Sequence, residues 1–233
     1  MMKYKELRQK VYETNMLLPK LNLVVFTWGN VSEVDREAGV FAIKPSGVEY
    51  DNLKPEDIVV VSLETGETVA GKMKPSSDTA THLVLYQKFS NIGGVVHTHS
   101  PWAVSWAQAT RELPAYGTTH ADTFYGNVPC TRKLTDQEIN EAYEKNTGLV
   151  IAETFEKNQI DPDAVPGVLV AGHGPFTWGP ESLKAVENSK VLEECCKMAF
   201  RTEVINPEIS RIEQGLLDKH YLRKHGKDAY YGQ

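Results

Sequence analysis

His97 and His99 stand two apart in the run Gly93-Gly94-Val95-Val96-His97-Thr98-His99-Ser100. Gly-Gly marks a turn or a close approach, and Val-Val opens a strand. Residues two apart on a strand share a face, so both imidazoles project side by side with Thr98 on the other side. Two imidazoles so placed can close on one metal ion. Alone, they are equally a pair of hydrogen-bonded histidines at a strand end. His173 is a third candidate. It leaves the short apolar strand 168–171 between Gly172 and Gly174, and glycines there let backbone and ligand approach closely. Three histidines from two strand ends match a catalytic zinc site, which takes three protein ligands and keeps room for substrate. Asp78, in the first turn of a helix, is a candidate fourth ligand. The competing reading is a carboxylate that caps that helix.

Three further stretches suit an anion. Gly29-Asn30, Ser46-Gly47 and Ser76-Ser77 each put small polar groups and backbone N–H at the end of a regular element. Lys44 can add charge. No Walker-type loop and no Gly-x-Gly-x-x-Gly follows a strand, so a nucleotide or nicotinamide cofactor is not expected. Asp122, in a loop rich in threonine and histidine, reads either as a general acid/base or as a turn aspartate. Tyr230 and Tyr231 close a basic, tyrosine-rich tail. Such a position is commonly dispensable, but the aromatic rings and Arg223 also suit docking on a neighbouring subunit. His82, His120, His220 and His225 read as structural or solvated. Cys130 reads as a small buried thiol.

These residues need a scaffold. An amphipathic helix is expected over 3–18, ending near Pro19, and strands over 23–28, 40–43 and 58–63. Strands joined by turns favour an antiparallel sheet over a strict βαβ series. A helix should run from Asp78 to about Phe89, with Ser76 and Ser77 as natural caps. Further helices are expected over 103–109, 134–148 and 182–204, the second with Thr135 and Glu138 as a capping box. Residues 114–122 read as a loop.

The chain has 233 residues, 41% hydrophobic and 24% charged, with formal charge −6. That suits one α/β domain over 1–233. The charge argues against nucleic acid or anionic membrane as main partner. No signal peptide and no apolar run of membrane-span length is seen. Three cysteines, two of them adjacent, make no disulfide framework and fit a reducing cytoplasm.

Thr-Trp-Gly-Asn at 27–30, Lys-Pro-Ser-Gly at 44–47, Lys-Pro-Ser-Ser-Asp at 74–78, His-Thr-His at 97–99 and Gly-His-Gly-Pro-Phe at 172–176 together resemble the class II aldolase/adducin-like family. The likeness spans nearly the whole chain. Thr-Thr-His-Ala-Asp at 118–122 and the C-terminal run from Asp218 through Tyr230-Tyr231-Gly232-Gln233 resemble its epimerase branch. Aldolases of the family carry Glu where this chain has Asp78.

The resemblance implies a three-layer α/β/α fold around a central, mostly antiparallel sheet. It implies one Zn²⁺ per subunit, held by Asp78, His97, His99 and His173; Mn²⁺ or Co²⁺ also suit such a set. It implies substrate contacts at Gly29, Asn30, Ser46, Gly47, Ser76 and Ser77, and Asp122 and Tyr231 as acid/bases. It implies a homotetramer with active sites between subunits, Thr118 and Glu144 near that interface, and His220 and Arg223 near the site. The activity implied is interconversion of L-ribulose 5-phosphate and D-xylulose 5-phosphate, with a ketose-phosphate aldolase as the alternative. The C4 hydrogen of such a ketose is not α to the C2 carbonyl, so breaking and remaking C3–C4 is the chemically accessible route. To exchange protons near neutrality, Asp122 would need a raised pKa and Tyr231 a lowered one.

Overall fold

The computed structural model describes residues 3–227 and 229–230. Its strands are β1 (Asn30–Asp35), β2 (Val40–Ile43), β3 (Val59–Ser62), β4 (Thr68–Ala70), β5 (Gly94–His97), β6 (Gly167–Leu169) and β7 (Pro175–Gly179). They form one sheet in the order β4-β3-β2-β1-β5-β7-β6, with antiparallel pairing throughout. Its helices are α1 (Lys5–Asn15), α2 (Leu17–Lys20), α3 (Thr79–Lys88), α4 (Pro101–Gln108), α5 (Thr118–Ala121), α6 (Asp136–Asn158), α7 (Ser182–Ile205) and α8 (Gln214–His225).

Strand alternation splits the core in two. Phe41 and Ile43 of β2, Val59 and Val61 of β3 and Val95 of β5 point to one face. There they meet Leu85 and Tyr86 of α3, Phe89 just after it, and Ile151 and Phe155 of α6. The intervening residues Val40, Ala42 and Val60 point the other way and pack with Val11 of α1. Val31 and Val96 share that second face with Leu18, Ala185 and Val186. Strands β2, β3 and β5 are thus apolar on both sides because helices cover both sides, which makes the three layers expected. Thr135 and Glu138 do form a reciprocal capping box at the start of α6.

Several expectations are corrected. The run 23–28 is no strand. Phe26 sits at φ 54° and is 76% exposed, and Trp28 N–H turns back to the Val25 carbonyl at 3.1 Å. The strand begins at Asn30, after Gly29 at φ 80°. Besides β1, two strands, β4 and β7, lie where none was expected. Strand β5 ends at His97, so His99 follows the strand instead of belonging to it. The cap position of α3 is Asp78, not a serine, and Asp78 makes no side-chain capping bond. Residues 118–121 form the short α5, not a loop. The helix expected to stop at Gly148 runs on to Asn158. Gly148 is buried against α3, where an added Cβ would lie 2.7 Å from Val84 Cβ; it permits close packing and terminates nothing.

Candidate metal centre

Strand register builds the floor of the site. Asn30 of β1 lies directly opposite His97 of β5, so their side chains emerge together on one face. Beyond the strand, the chain carries His99 back beside His97, with ring centroids 4.9 Å apart. The turn between β6 and β7 delivers His173, whose ring lies 4.7 Å from that of His97 and 5.2 Å from that of His99. Gly174 makes this approach possible: a Cβ there would meet the Thr98 carbonyl at 3.0 Å. One nitrogen from each of His97, His99 and His173 lies within 4.8 Å of the others.

His97 supplies the test of whether a metal fits. Its Nδ1 is 2.9 Å from the Pro175 carbonyl, an acceptor only, so the proton sits on Nδ1. Its Nε2 is buried and has no hydrogen-bond partner among the described residues. A buried, unpaired lone pair facing two more imidazoles is costly without a Lewis acid, and the anchored Nδ1–H is how metal-binding histidines are oriented. Burial and the neighbouring imidazoles push the His173 pKa down to about 4, and burial lowers that of His99. Both are therefore neutral, ligand-ready bases at neutral pH. The donor set fits a divalent ion of the zinc class.

Asp78 stands beside this cluster rather than inside it. Its Oδ2 accepts from Asn30 Nδ2 at 2.7 Å. Burial alone would raise its pKa, but His97, His82 and the Asn30 bond outweigh it and the pKa falls. Asp78 is ionised and half-buried, and the capping role left open by the sequence is not the one it fills. Asn30 also donates to Ser76 Oγ at 3.1 Å, tying the strand to the serine turn.

The two serine-bearing turns brace each other. Ser46 N–H donates to the Lys74 carbonyl and Ser76 N–H to the Lys44 carbonyl, each at 3.0 Å, with a bridge between Pro45 and Pro75. Lys44 is buried between them. Its Nζ donates to the Val48 carbonyl at 2.6 Å and lies 4.8 Å from the centre of the Tyr50 ring, a cation–π contact. Burial brings its pKa down to about 8. The Tyr50 hydroxyl in turn reaches the Trp28 and Gly29 carbonyls at 3.1 and 3.0 Å.

A cavity of about 300 Å³ joins these parts. It is lined by Gly29, Asn30, Lys44, Ser46, Gly47, Ser76, Ser77, Asp78, His97, His99 and His173, together with Glu144. Thr27, Trp28 and Tyr143 also line it and were not singled out from the sequence. The first two lie in a quoted motif, but Tyr143 carried no signal.

Asp122 is elsewhere. It lines none of this cavity and closes α5, the helix that Thr118 begins. His220 Nδ1 and Arg223 NH2 each approach Asp122 Oδ1 at 3.0 Å, and Lys224 lies 3.4 Å from Oδ2. Burial works to raise its pKa, yet His220, Arg223 and Lys224 win and lower it, the reverse of the expected shift. Tyr231 lies outside the described residues. Cys130 is a half-buried thiol pushed up to about 11 by burial, and Cys195 and Cys196 are free and buried. No helix among the described residues is long and apolar enough to cross a membrane.

Residues 9–200 match the family described as Class II Aldolase and Adducin N-terminal domain. The chain is 52% identical over 228 residues to the L-ribulose-5-phosphate 4-epimerase UlaF of Salmonella paratyphi B, covering 98% of this chain and 99% of the relative. It is 53% identical, with the same coverage, to the protein of that name from Salmonella paratyphi C. Among solved structures, an L-fuculose 1-phosphate aldolase superposes with TM-score 0.80 at 25% identity, over 96% of this chain and 98% of that one. The l-fuculose-1-phosphate aldolase from Thermus thermophilus superposes with TM-score 0.68 at 22% identity, over 88% and 100%.

Proposed function

The chain belongs to the class II aldolase and adducin family, and from that premise we propose that it is a metal-dependent 4-epimerase interconverting L-ribulose 5-phosphate and D-xylulose 5-phosphate. The observation that carries this reading is the unpaired His97 Nε2, set among His99 and His173 in a cavity shared with the serine turns. The relatives at 52–53% identity are named L-ribulose-5-phosphate 4-epimerases, and inverting L-ribulose 5-phosphate at C4 gives D-xylulose 5-phosphate.

His97, His99 and His173 hold the ion, with Asp78 as the carboxylate beside them; Zn²⁺ suits this set. The ion, when bound, supplies Lewis-acid stabilisation of the negative charge that accumulates near C2 and C3 as C3–C4 breaks. Ser46, Gly47, Ser76 and Ser77 seat the phosphate, Lys44 balances its charge, and Gly29 and Asn30 position the sugar oxygens. One acid/base removes the C4 hydroxyl proton while the C3–C4 electron pair moves to C3, leaving glycolaldehyde phosphate. The phosphate seat keeps this aldehyde in place while it turns. C3 then attacks its other face, and the second acid/base protonates the new C4 oxygen. Asp122 and Tyr231 are the two carriers; paired with His220 and Arg223, Asp122 is held in its ionised form and is a weaker base than a free carboxylate.

Because Asp122 lies off the metal cavity of its own chain, we assign its contribution to a neighbouring site in a homotetramer, with Thr118 and Glu144 near the contact. The chain acts as one domain over 1–233 and works in the cytoplasm, consistent with three free cysteines. One assay tests the reading: pure protein with L-ribulose 5-phosphate, before and after chelation. D-xylulose 5-phosphate should form, and chelation should stop it. Turnover undiminished by chelation overturns the metal role, and accumulation of free glycolaldehyde phosphate in place of the epimer favours an aldolase.

A further inference from the structure

Helix α6 is interrupted at Ala142, which sits at φ −155° and ψ 68°. Helices break at proline, at glycine–serine pairs or where a side chain enters the ladder. None of the first kinds is present in Asn140-Glu141-Ala142-Tyr143, and alanine is the best helix former of all. Side-chain hydrogen bonds flank the break. Asn146 Nδ2 donates to the Glu138 carbonyl at 2.8 Å, eight residues back. Thr81 Oγ1 of α3 takes the Glu144 carbonyl at 2.6 Å, and Thr147 Oγ1 takes that of Tyr143 at 2.9 Å. Polar side chains thus hold carbonyls on both sides of the interruption, Glu138 before it and Tyr143 and Glu144 after it.

Its product is the placement of Tyr143. The phenol oxygen lies 3.2 Å from His173 Nδ1, and the residue lines the metal cavity. His97 has the Pro175 carbonyl on its Nδ1 to fix its tautomer. His173 has no such carbonyl among its hydrogen bonds to the described residues; its Nδ1 faces the phenol. We infer that Tyr143 is a positioning residue for the metal centre, whose oxygen accepts His173 Nδ1–H and so leaves the Nε2 lone pair for the ion. The break in α6 exists to bring it there. This rests on the metal reading above. A hydroxyl that accepts from His173 also keeps its own proton to offer to a ligand oxygen in the cavity.

The test is the affinity of metal-stripped protein for Zn²⁺, measured by competition with a chromophoric chelator, with the visible spectrum of the Co²⁺-loaded protein beside it. Tyr143→Phe should weaken Zn²⁺ binding about 10–100-fold and alter the Co²⁺ absorption, while the metal-free protein melts as wild type does. Asn146→Ala should move affinity in the same direction, and the double variant should be no worse than Tyr143→Phe, since both act through one link. Unchanged Zn²⁺ affinity and Co²⁺ spectrum in folded Tyr143→Phe overturn the assignment. If that variant does not fold, unchanged affinity in Asn146→Ala overturns it instead. His97→Asn runs alongside: normal Zn²⁺ binding there sinks the metal reading itself, whereas normal binding in Tyr143→Phe alone sinks only the positioning role.

Discussion

His97 gives its two ring nitrogens opposite tasks: Nδ1 is anchored to the Pro175 carbonyl, and Nε2 is left bare. His97→Asn keeps polarity but removes that lone pair, so Zn²⁺ per chain measured by elemental analysis should fall to a small fraction of wild type. Lys44 carries a pH dependence of definite sign. Its pKa is lowered to about 8 by burial, so it is charged below that pH and loses its proton as pH rises through it. The KM for a phosphorylated ketose should therefore climb above about pH 8, while kcat changes less. Lys44→Met should show a high KM with that rise removed. At this scale much could be read from the sequence. The His97/His99 pair was legible from its spacing, whereas the grouping of His173, Asp78 and the serine turns with it in one cavity was what the family resemblance implied, since these residues are far apart in the chain. The pKa of Asp122 was not readable. It depends on His220, Arg223 and Lys224, about a hundred residues away in the chain.

At the scale of elements, the segment before β1 decides whether the site forms. Gly29 holds φ 80°, and a Cβ there would lie 2.7 Å from Val24 Cγ1 and 2.9 Å from the His97 carbonyl. Gly29→Ala should lower stability by about 1–3 kcal/mol, read as a reduced denaturation midpoint, and should weaken metal binding because the displaced carbonyl belongs to a ligand. The apolar run 23–28 mimics a strand in composition, yet Leu23 packs into the core and Thr27 and Trp28 line the cavity, with the Trp28 ring 6.0 Å from that of His99. Composition reports preference; it does not report which of two adjacent runs the sheet will pair. The interruption of α6 was invisible for the same reason: the Asn146 and Thr81 bonds that flank it are contacts that no local pattern announces.

For the whole molecule, the separation of Asp122 from the metal cavity makes a prediction about assembly. His97→Asn and Asp122→Asn should each be nearly inactive alone. Refolded together, they should recover activity, since some sites would then combine an intact metal set with an intact Asp122 from a neighbour. No recovery in mixed assemblies would place all the chemistry in one chain. The three layers were implied by the family resemblance, and the structure bears them out: the central strands β2, β3 and β5 are apolar on both sides and helices cover both. The turns at 44–47 and 74–78, pinned to one another through Pro45 and Pro75, also limit how this scaffold can diversify. Lengthening either loop by one residue throws its partner out of step, so a changed reach toward a larger or smaller sugar would require matched edits in both. Natural or engineered substrate switching through this face should come as paired changes, never as single ones.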